Sequence, residues 1–142
     1  MLVAFVCTGN ICRSPMAEAF ARARHRVSGV AFVSAGTAAS PGVSASTHTI
    51  RVMADTGIDV TGHSTRDLDS VMAKEPDIVY TMTGAQATHI RTVYPGLADR
   101  VVLLNGDDGE IPDPYGQDVD TYRRARDVIA SAVSRRAPDW IS

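Results

Sequence analysis

The stretch Leu2–Pro15, LVAFVCTGNICRSP, is the most informative part of the sequence for predicting the fold. Its opening run, Leu2–Val6, is continuously apolar and has the length of a strand. Ser14 and Pro15 are typical of the first turn of a helix, where proline loses no hydrogen bond. The intervening residues from Cys7 onward are therefore predicted to form a tight loop between a buried strand and a helix.

Further along the chain, short apolar runs alternate with segments of helical periodicity. The predicted strands are residues 2–6, 30–33, 77–82 and 101–104. The first predicted helix begins at residue 15, and the other four cover residues 43–55, 65–73, 85–94 and 119–136. Continuous apolar strands separated by helices are typical of an α/β fold with a parallel sheet covered on both faces. The helical periodicity places Ala23, Ile50, Met53 and Ala54 toward the core, and the arginines of the last helix on a solvated face.

Length and charge limit the classes of function. The chain has 142 residues, for which we expect a single domain over residues 1–142. A net charge of -2 is too balanced for a protein that binds nucleic acid or an anionic membrane through its overall field. No apolar run approaches the roughly 20 residues of a membrane span, and no basic segment precedes the first strand as in a secretory signal. We therefore expect a cytoplasmic protein without nucleic-acid or membrane partners.

The loop after the first strand is the predicted binding site, because parallel sheets bind ligands at the carboxyl ends of their strands. Its backbone N–H groups lead into a helix N-terminus, which together make a nest for an anion. Gly9 and Asn10 are residue types that tolerate the positive φ of such a nest. Arg13 adds a planar guanidinium that matches two oxygens of a phosphate group.

Cys7 is the candidate nucleophile in this loop. The Arg13 guanidinium and the helix N-terminus both favour a thiolate over a thiol, and Ser14 is placed to donate a hydrogen bond to the sulfur. A thiolate beside a phosphate-binding loop indicates phosphoryl transfer to sulfur. The alternative is a tight turn with a buried, unreactive cysteine. A nucleotide-binding loop of the Walker type is excluded, because the lysine and the second glycine of that motif are absent.

A thiolate that displaces an alkoxide or phenoxide needs an acid to protonate the leaving group. Asp113 is the candidate, in the segment IPDPYG at residues 111–116. Pro112 and Pro114 restrict the backbone on both sides of it, although an acidic surface turn would have the same composition. Tyr115 is either an aromatic wall for a flat substrate or a half-buried anchor of the loop.

The segments CTGNICRSPMAEAF and IPDPYG together resemble the low-molecular-weight protein-tyrosine-phosphatase family. The resemblance implies a four-stranded parallel sheet flanked by helices, with the phosphate-binding loop after the first strand. It also implies that Cys7 forms a phosphocysteine, that Arg13 binds phosphate and that Asp113 acts as acid and then as base, without metal or cofactor. Further phosphate-loop and pocket residues implied by the resemblance are Thr8, Gly9, Asn10, Ile11, Cys12, Ser14 and Tyr115.

The family also holds its loop asparagine in a strained conformation through serine and histidine partners. Asn10, Ser14, Ser34 and His63 stand at the matching positions, which implies that Ser34 and His63 support the loop. Cys12 resembles the second loop cysteine of the family, which forms a reversible disulfide with the nucleophile. A plain buried side chain at the helix start remains the alternative for Cys12.

The resemblance leaves the substrate open between two branches. Thr83 and the segment Ala38–Pro41 depart from many tyrosine phosphatases and look more like the bacterial protein-arginine phosphatases. That arginine branch, however, carries a threonine at the position of Ile11, and an apolar Ile11 suits a phenyl ring. We therefore expect phosphorylated proteins or peptides as partners, with phosphotyrosine favoured, and phosphate or sulfate as site ligands. The alternative of another class is a module that binds such anions without turnover.

Overall fold

The structure is a computed structural model that describes residues 1–141. Its centre is a sheet of four parallel strands in the order β2-β1-β3-β4. The strands are β1 (Leu2–Cys7), β2 (Ala31–Gly36), β3 (Ile78–Thr81) and β4 (Val101–Leu103). The predicted four-stranded parallel sheet is confirmed, and β1 lies inside it, so both of its edges are paired.

Helices cover both faces of this sheet, as predicted. They are α1 (Arg13–Arg24), α2 (Thr47–Ala54), α3 (Leu68–Met72), α4 (Gly84–Val93) and α5 (Val119–Arg136), with short 3₁₀ turns at Pro95–Arg100, Gly106–Asp108 and Ala137–Trp140. α1, α2 and α5 pack on one face, and α3 and α4 on the other. Within residues 1–141, no helix has the length and apolar character needed to cross a membrane.

The side chains of β1 alternate between two hydrophobic cores. Val3 and Phe5 belong to the core under α1, α2 and α5, and Ala4 and Val6 to the core under α3 and α4. All four are fully buried, which is why the strand reads as an unbroken apolar run rather than an alternating one. The Phe5 ring also stacks at 5.6 Å from the ring of Tyr80, within an aromatic cluster on the first face.

Two helices begin later than their periodicity predicts. α2 starts at Thr47 because the Ser46 side chain accepts a hydrogen bond from the Thr49 N–H and caps the helix there. α3 starts at Leu68 because Asp67 caps it and also pairs with the end of β2 at Gly36. In both cases a local cap decides the boundary within a longer segment of helical pattern.

The predicted buried faces are partly wrong. Ala23 and Ala54 are exposed and Ile50 is only half-buried, since both alanines lie in the last turn of their helices. The arginines of α5 are not simply solvated either. Arg126 donates to the Val52 carbonyl at 3.0 Å, and Arg136 donates to the carbonyls at the end of β4. These guanidinium groups attach α5 to its neighbours, a role that charge patterning does not reveal.

Replacing Phe5 tests the central position of β1. Phe5→Ala removes a fully buried ring from the aromatic cluster in the core under α1, α2 and α5, so we expect a loss of about 3–5 kcal/mol in the free energy of unfolding. Urea denaturation should show a lower midpoint with an unchanged slope. The control is Val128→Ala on the exposed side of α5, which should change stability by no more than about 0.5 kcal/mol. Equal effects of the two substitutions would contradict this packing.

Candidate active site

The loop after β1 forms one wall of a narrow cleft of about 160 Å³. Cys7 is the last residue of β1 and Arg13 the first of α1, so the loop itself is only Thr8–Cys12. The cleft is lined by Cys7, Thr8, Gly9, Ile11, Cys12, Arg13, Asp113 and Tyr115. The structure thus brings two distant sequence segments together. A wider groove of about 430 Å³ lies between α1 and residues 58–66, but neither Cys7 nor Arg13 lines it.

The sulfur of Cys7 lies among hydrogen-bonding groups at the base of the cleft. Its Sγ is 2.9 Å from the Ser14 hydroxyl oxygen and accepts the Asn10 N–H at 3.3 Å. Cys7 is 2% exposed, so few water molecules can compete with these contacts. Both contacts hold the sulfur in place at the cleft, where Cys7 is one of the lining residues.

Arg13 is buried beside this sulfur and only part of its guanidinium is used within the protein. Its Nη1 donates to the Ile111 carbonyl at 2.9 Å, and its Nη2 lies 3.5 Å from Asp113 Oδ2. Among residues 1–141, the buried Nε has no hydrogen-bond partner. A buried charged donor without a partner is costly, so its N–H is suited to an anionic ligand in the cleft.

The N-terminus of α1 differs from those of the other four helices. α2, α3, α4 and α5 are each capped by a side chain, whereas Cys12 provides no such cap to α1. The first N–H groups of a helix have no partner within the helix, and their partial charge attracts anions. The uncapped N-terminus and the arginine therefore supply positive potential at the same cleft.

Asp113 lies across the cleft from the loop after β1. Its carboxyl group is 49% exposed, and its Oδ1 accepts the Tyr115 N–H at 3.1 Å. This bond orients the carboxylate while leaving it open to solvent. Tyr115 is 63% exposed, so it is not the half-buried anchor considered above, and it is one of the residues that line the cleft.

Asn10 is fully buried beneath the cleft and has the left-handed φ of 58°. Its Nδ2 donates to the hydroxyls of Ser14 at 2.8 Å and Ser34 at 2.9 Å, and its Oδ1 accepts the Arg66 N–H at 2.9 Å. His63 Nε2 donates to the Asn10 carbonyl at 2.7 Å. Gly9, for which a positive φ was also expected, does not have one. The structure therefore places Ser14, Ser34 and His63 in contact with Asn10, as the family resemblance implies.

A second layer supports these contacts. Ser34 donates to the buried Glu18 carboxylate at 2.6 Å, and Arg22 pairs with the other oxygen of that carboxylate at 3.0 Å. Gly36 lies close behind the loop, where an added Cβ would come within 2.5 Å of the Thr8 carbonyl oxygen. Only glycine allows this close approach of β2 to the loop.

Cys12 occupies a different environment from Cys7. Its sulfur lies 3.5 Å from the Ser46 hydroxyl and 3.4 Å from that of Tyr122. Burial raises the pKa of the Cys12 thiol, and the hydrogen bonds of these hydroxyls offset that effect only in part. Burial likewise raises the pKa of Tyr122 to about 12. Both cysteines are free thiols in this structure, and the disulfide between them stays a prediction.

The sequence alone did not identify several residues that support the site. Glu18 stands four residues after Ser14 on α1, a spacing that could have placed it near Ser34. Gln86 stands three residues after Thr83, and this capping-box pattern predicts a helix start but no contact with the loop. The contact of Tyr122 with Cys12 crosses 110 positions and had no signal in the sequence.

Comparisons with known proteins agree with this geometry. The sequence model described as "Low molecular weight phosphotyrosine protein phosphatase" matches residues 2–137. A probable low-molecular-weight protein-tyrosine-phosphatase, EpsP of Ralstonia nicotianae, is 34% identical over 94% of this chain and 91% of its own length.

Two solved structures share the fold over nearly the whole chain. The tyrosine phosphatase Wzb of Escherichia coli K30, in complex with sulphate, has a TM-score of 0.90 and 28% identity, covering 98% of this chain and 97% of Wzb. The YwlE arginine phosphatase, in a mutant whose active-site serine is phosphorylated, has a TM-score of 0.91 and 31% identity, covering 98% of this chain and 95% of its own.

Family, fold and site geometry lead to the same assignment. The match covers the loop after β1, the buried arginine at the start of α1 and the segment around Asp113. The chain belongs to the low-molecular-weight phosphotyrosine protein phosphatase family and is a phosphoric monoester hydrolase.

Proposed function

We propose that this protein removes the phosphoryl group from phosphotyrosine in proteins through a phosphocysteine on Cys7. The observation that carries the proposal is the position of the Cys7 sulfur, which receives two hydrogen-bonding contacts beside the partly unpaired Arg13 guanidinium. A module that only binds anions would need neither this nucleophile nor a carboxyl group across the cleft. The arrangement therefore favours turnover over binding alone.

The proposed reaction has two displacements at phosphorus. In the first, the Cys7 thiolate forms a bond to phosphorus while the bond to the tyrosine oxygen breaks, and Asp113 transfers a proton to that oxygen. In the second, a water molecule attacks the phosphocysteine while Asp113 takes its proton, and phosphate and the thiolate are released. Arg13 and the loop N–H groups bind the non-bridging oxygens through both steps. None of these steps requires a metal ion.

The hydroxyl of Ser14 supports this cycle, because it can hydrogen-bond to sulfur both as attacking thiolate and as leaving group. The phosphorylated active-site serine of the YwlE mutant supports a nucleophile at the corresponding loop. Sulphate bound to Wzb supports the proposal that the cleft of this chain accepts tetrahedral oxyanions.

Phosphotyrosine is favoured by the apolar side of the cleft. Ile11 and Tyr115 both line it and suit the flat ring of a phenyl ester. Phosphoarginine is the second candidate, because the YwlE arginine phosphatase is also similar to this chain, at 31% identity. Ile11 argues against it, since its side chain has no hydroxyl to orient water toward a phosphoguanidine.

We further propose that the protein acts in the cytoplasm. The mechanism needs Cys7 as a reduced thiol, and cytosolic reductants maintain that state. The disulfide between Cys7 and Cys12 would reversibly protect the nucleophile from over-oxidation, as the family resemblance implies.

The nucleophile is tested with Cys7→Ser. We expect turnover of p-nitrophenyl phosphate to fall by roughly 10⁴-fold or more, because a serine hydroxyl is not ionised near neutral pH. Phosphate binding, measured by calorimetry, should persist because the donors of the loop remain. Cys12→Ser serves as the matched control and should keep most of the turnover. Undiminished hydrolysis by Cys7→Ser would refute the mechanism.

The acid is tested with Asp113→Asn across a series of aryl phosphates. The expected loss in kcat is about 10²- to 10⁴-fold for poor leaving groups and much smaller for p-nitrophenolate, which leaves without a proton. The control is Asp107→Asn, which changes a carboxylate in the same connection between β4 and α5. Asp107 does not line the cleft, so kcat should be unchanged. A loss of the same size for every leaving group would contradict the role of Asp113 as acid.

The substrate class is tested by comparing phosphotyrosine and phosphoarginine peptides. The unaltered protein should have the higher kcat/KM for phosphotyrosine, and Ile11→Thr should shift the ratio of the two values toward phosphoarginine by about tenfold. Ile11→Val keeps an apolar side chain and should keep the preference. Faster turnover of phosphoarginine by the unaltered protein would reassign it to the arginine branch.

A further inference from the structure

Gln86 connects the start of α4 to the rim of the cleft. Its side chain is 5% exposed, and its Oε1 accepts the N–H groups of Met82 at 2.9 Å and Thr83 at 3.0 Å. Its Nε2 donates to the Thr8 hydroxyl oxygen at 3.1 Å. The orientation of the amide is determined, because exchanging oxygen and nitrogen would direct an NH₂ group against two N–H donors.

This arrangement sets the polarity of the Thr8 hydroxyl. The oxygen accepts a hydrogen bond from the Gln86 Nε2–H, so the hydroxyl hydrogen must point elsewhere. Within residues 1–141, the Thr8 hydroxyl contacts no other hydrogen-bonding group. Thr8 is exposed and lines the cleft, and its hydrogen is therefore available to a molecule bound there.

The exposure of Thr8 indicates which part of a substrate its hydroxyl would contact. Cys7 and Arg13 are nearly fully buried at the base, where the phosphoryl group is bound in the proposed mechanism. Thr8 lines the same cleft but is exposed, so its side chain lies nearer to solvent than those of Cys7 and Arg13. The hydrogen-bond acceptor that a phosphorylated protein always presents near its modified side chain is a main-chain carbonyl.

We propose that Gln86 is a positioning residue that presents the Thr8 hydroxyl as a hydrogen-bond donor to a main-chain carbonyl of the peptide substrate. This inference rests on the proposed phosphatase activity and narrows its substrate class to peptides over small aryl esters. Gln86 acts through Thr8 and touches no reacting atom. Its amide joins the helix cap and the rim of the cleft, so the donor is oriented before substrate binds.

The test compares kcat/KM for a phosphotyrosine peptide with kcat/KM for p-nitrophenyl phosphate, which has no main chain. Thr8→Val removes the donor and should lower the peptide to aryl ester ratio about five- to tenfold, mainly through KM for the peptide. Thr8→Ser keeps a hydroxyl, so its ratio should stay within about twofold of that of the unaltered protein.

Gln86→Glu distinguishes an effect on the orientation of the Thr8 hydroxyl from an effect on the folding of α4. The carboxylate still accepts the two N–H groups that cap α4, but it replaces the Nε2 donor with an acceptor and draws the Thr8 hydrogen away from the substrate. The ratio should fall as it does for Thr8→Val, and Gln86→Glu should lower it no further in the Thr8→Val background. Thermal denaturation of each variant shows whether the cap is retained.

The outcomes distinguish the two proposals. Equal losses on both substrates would mean that Thr8 contacts the phosphoryl group, and an unchanged ratio would mean that it contacts nothing on the peptide; either result overturns the inference. Absence of hydrolysis of both substrates by the unaltered protein would instead overturn the phosphatase proposal and the inference with it.

Discussion

Asn10 is the constraint on which the shape of the site depends. Its φ of 58° puts a left-handed turn in the loop after β1, and this conformation is unfavourable for a residue with a side chain. Four hydrogen bonds offset that cost. The Asn10 side chain donates to Ser14 and Ser34 and accepts the Arg66 N–H, and His63 donates to the Asn10 carbonyl. The strained loop is therefore maintained by the whole surrounding fold rather than by its own sequence.

The same fold gives two cysteines of one loop opposite environments. Cys7 ends a central strand and lies beside a guanidinium, an uncapped helix and donors to its sulfur. Cys12 is only five positions away, but it contacts Ser46 and Tyr122, and burial raises the pKa of its thiol. The two side chains are almost equally buried, at 2% and 3% exposure, so they differ in the groups that surround each sulfur and not in their access to solvent.

The parallel sheet explains why residues far apart in the chain meet at one cleft. The carboxyl ends of β1, β3 and β4 lie at one edge, and the segments that follow them supply Thr8, Gln86 and Asp113. Gln86 takes part in the cap of α4 and also contacts Thr8 in the loop after β1. A single buried amide can therefore couple the start of a helix to the orientation of a hydroxyl at the cleft.

The sequence by itself determined the alternation of apolar strands with helices along the chain, the α/β class and the residue types at the loop, because periodicity and short-range spacing are local properties. It also singled out Cys7, Arg13 and Asp113 by their chemistry. Helix starts at Thr47 and Leu68 depended on caps that a longer periodic pattern hides. Only the tertiary structure decided which side chains meet across the chain, such as Gln86 with Thr8, because contacts of long sequence separation depend on how the strands and helices pack.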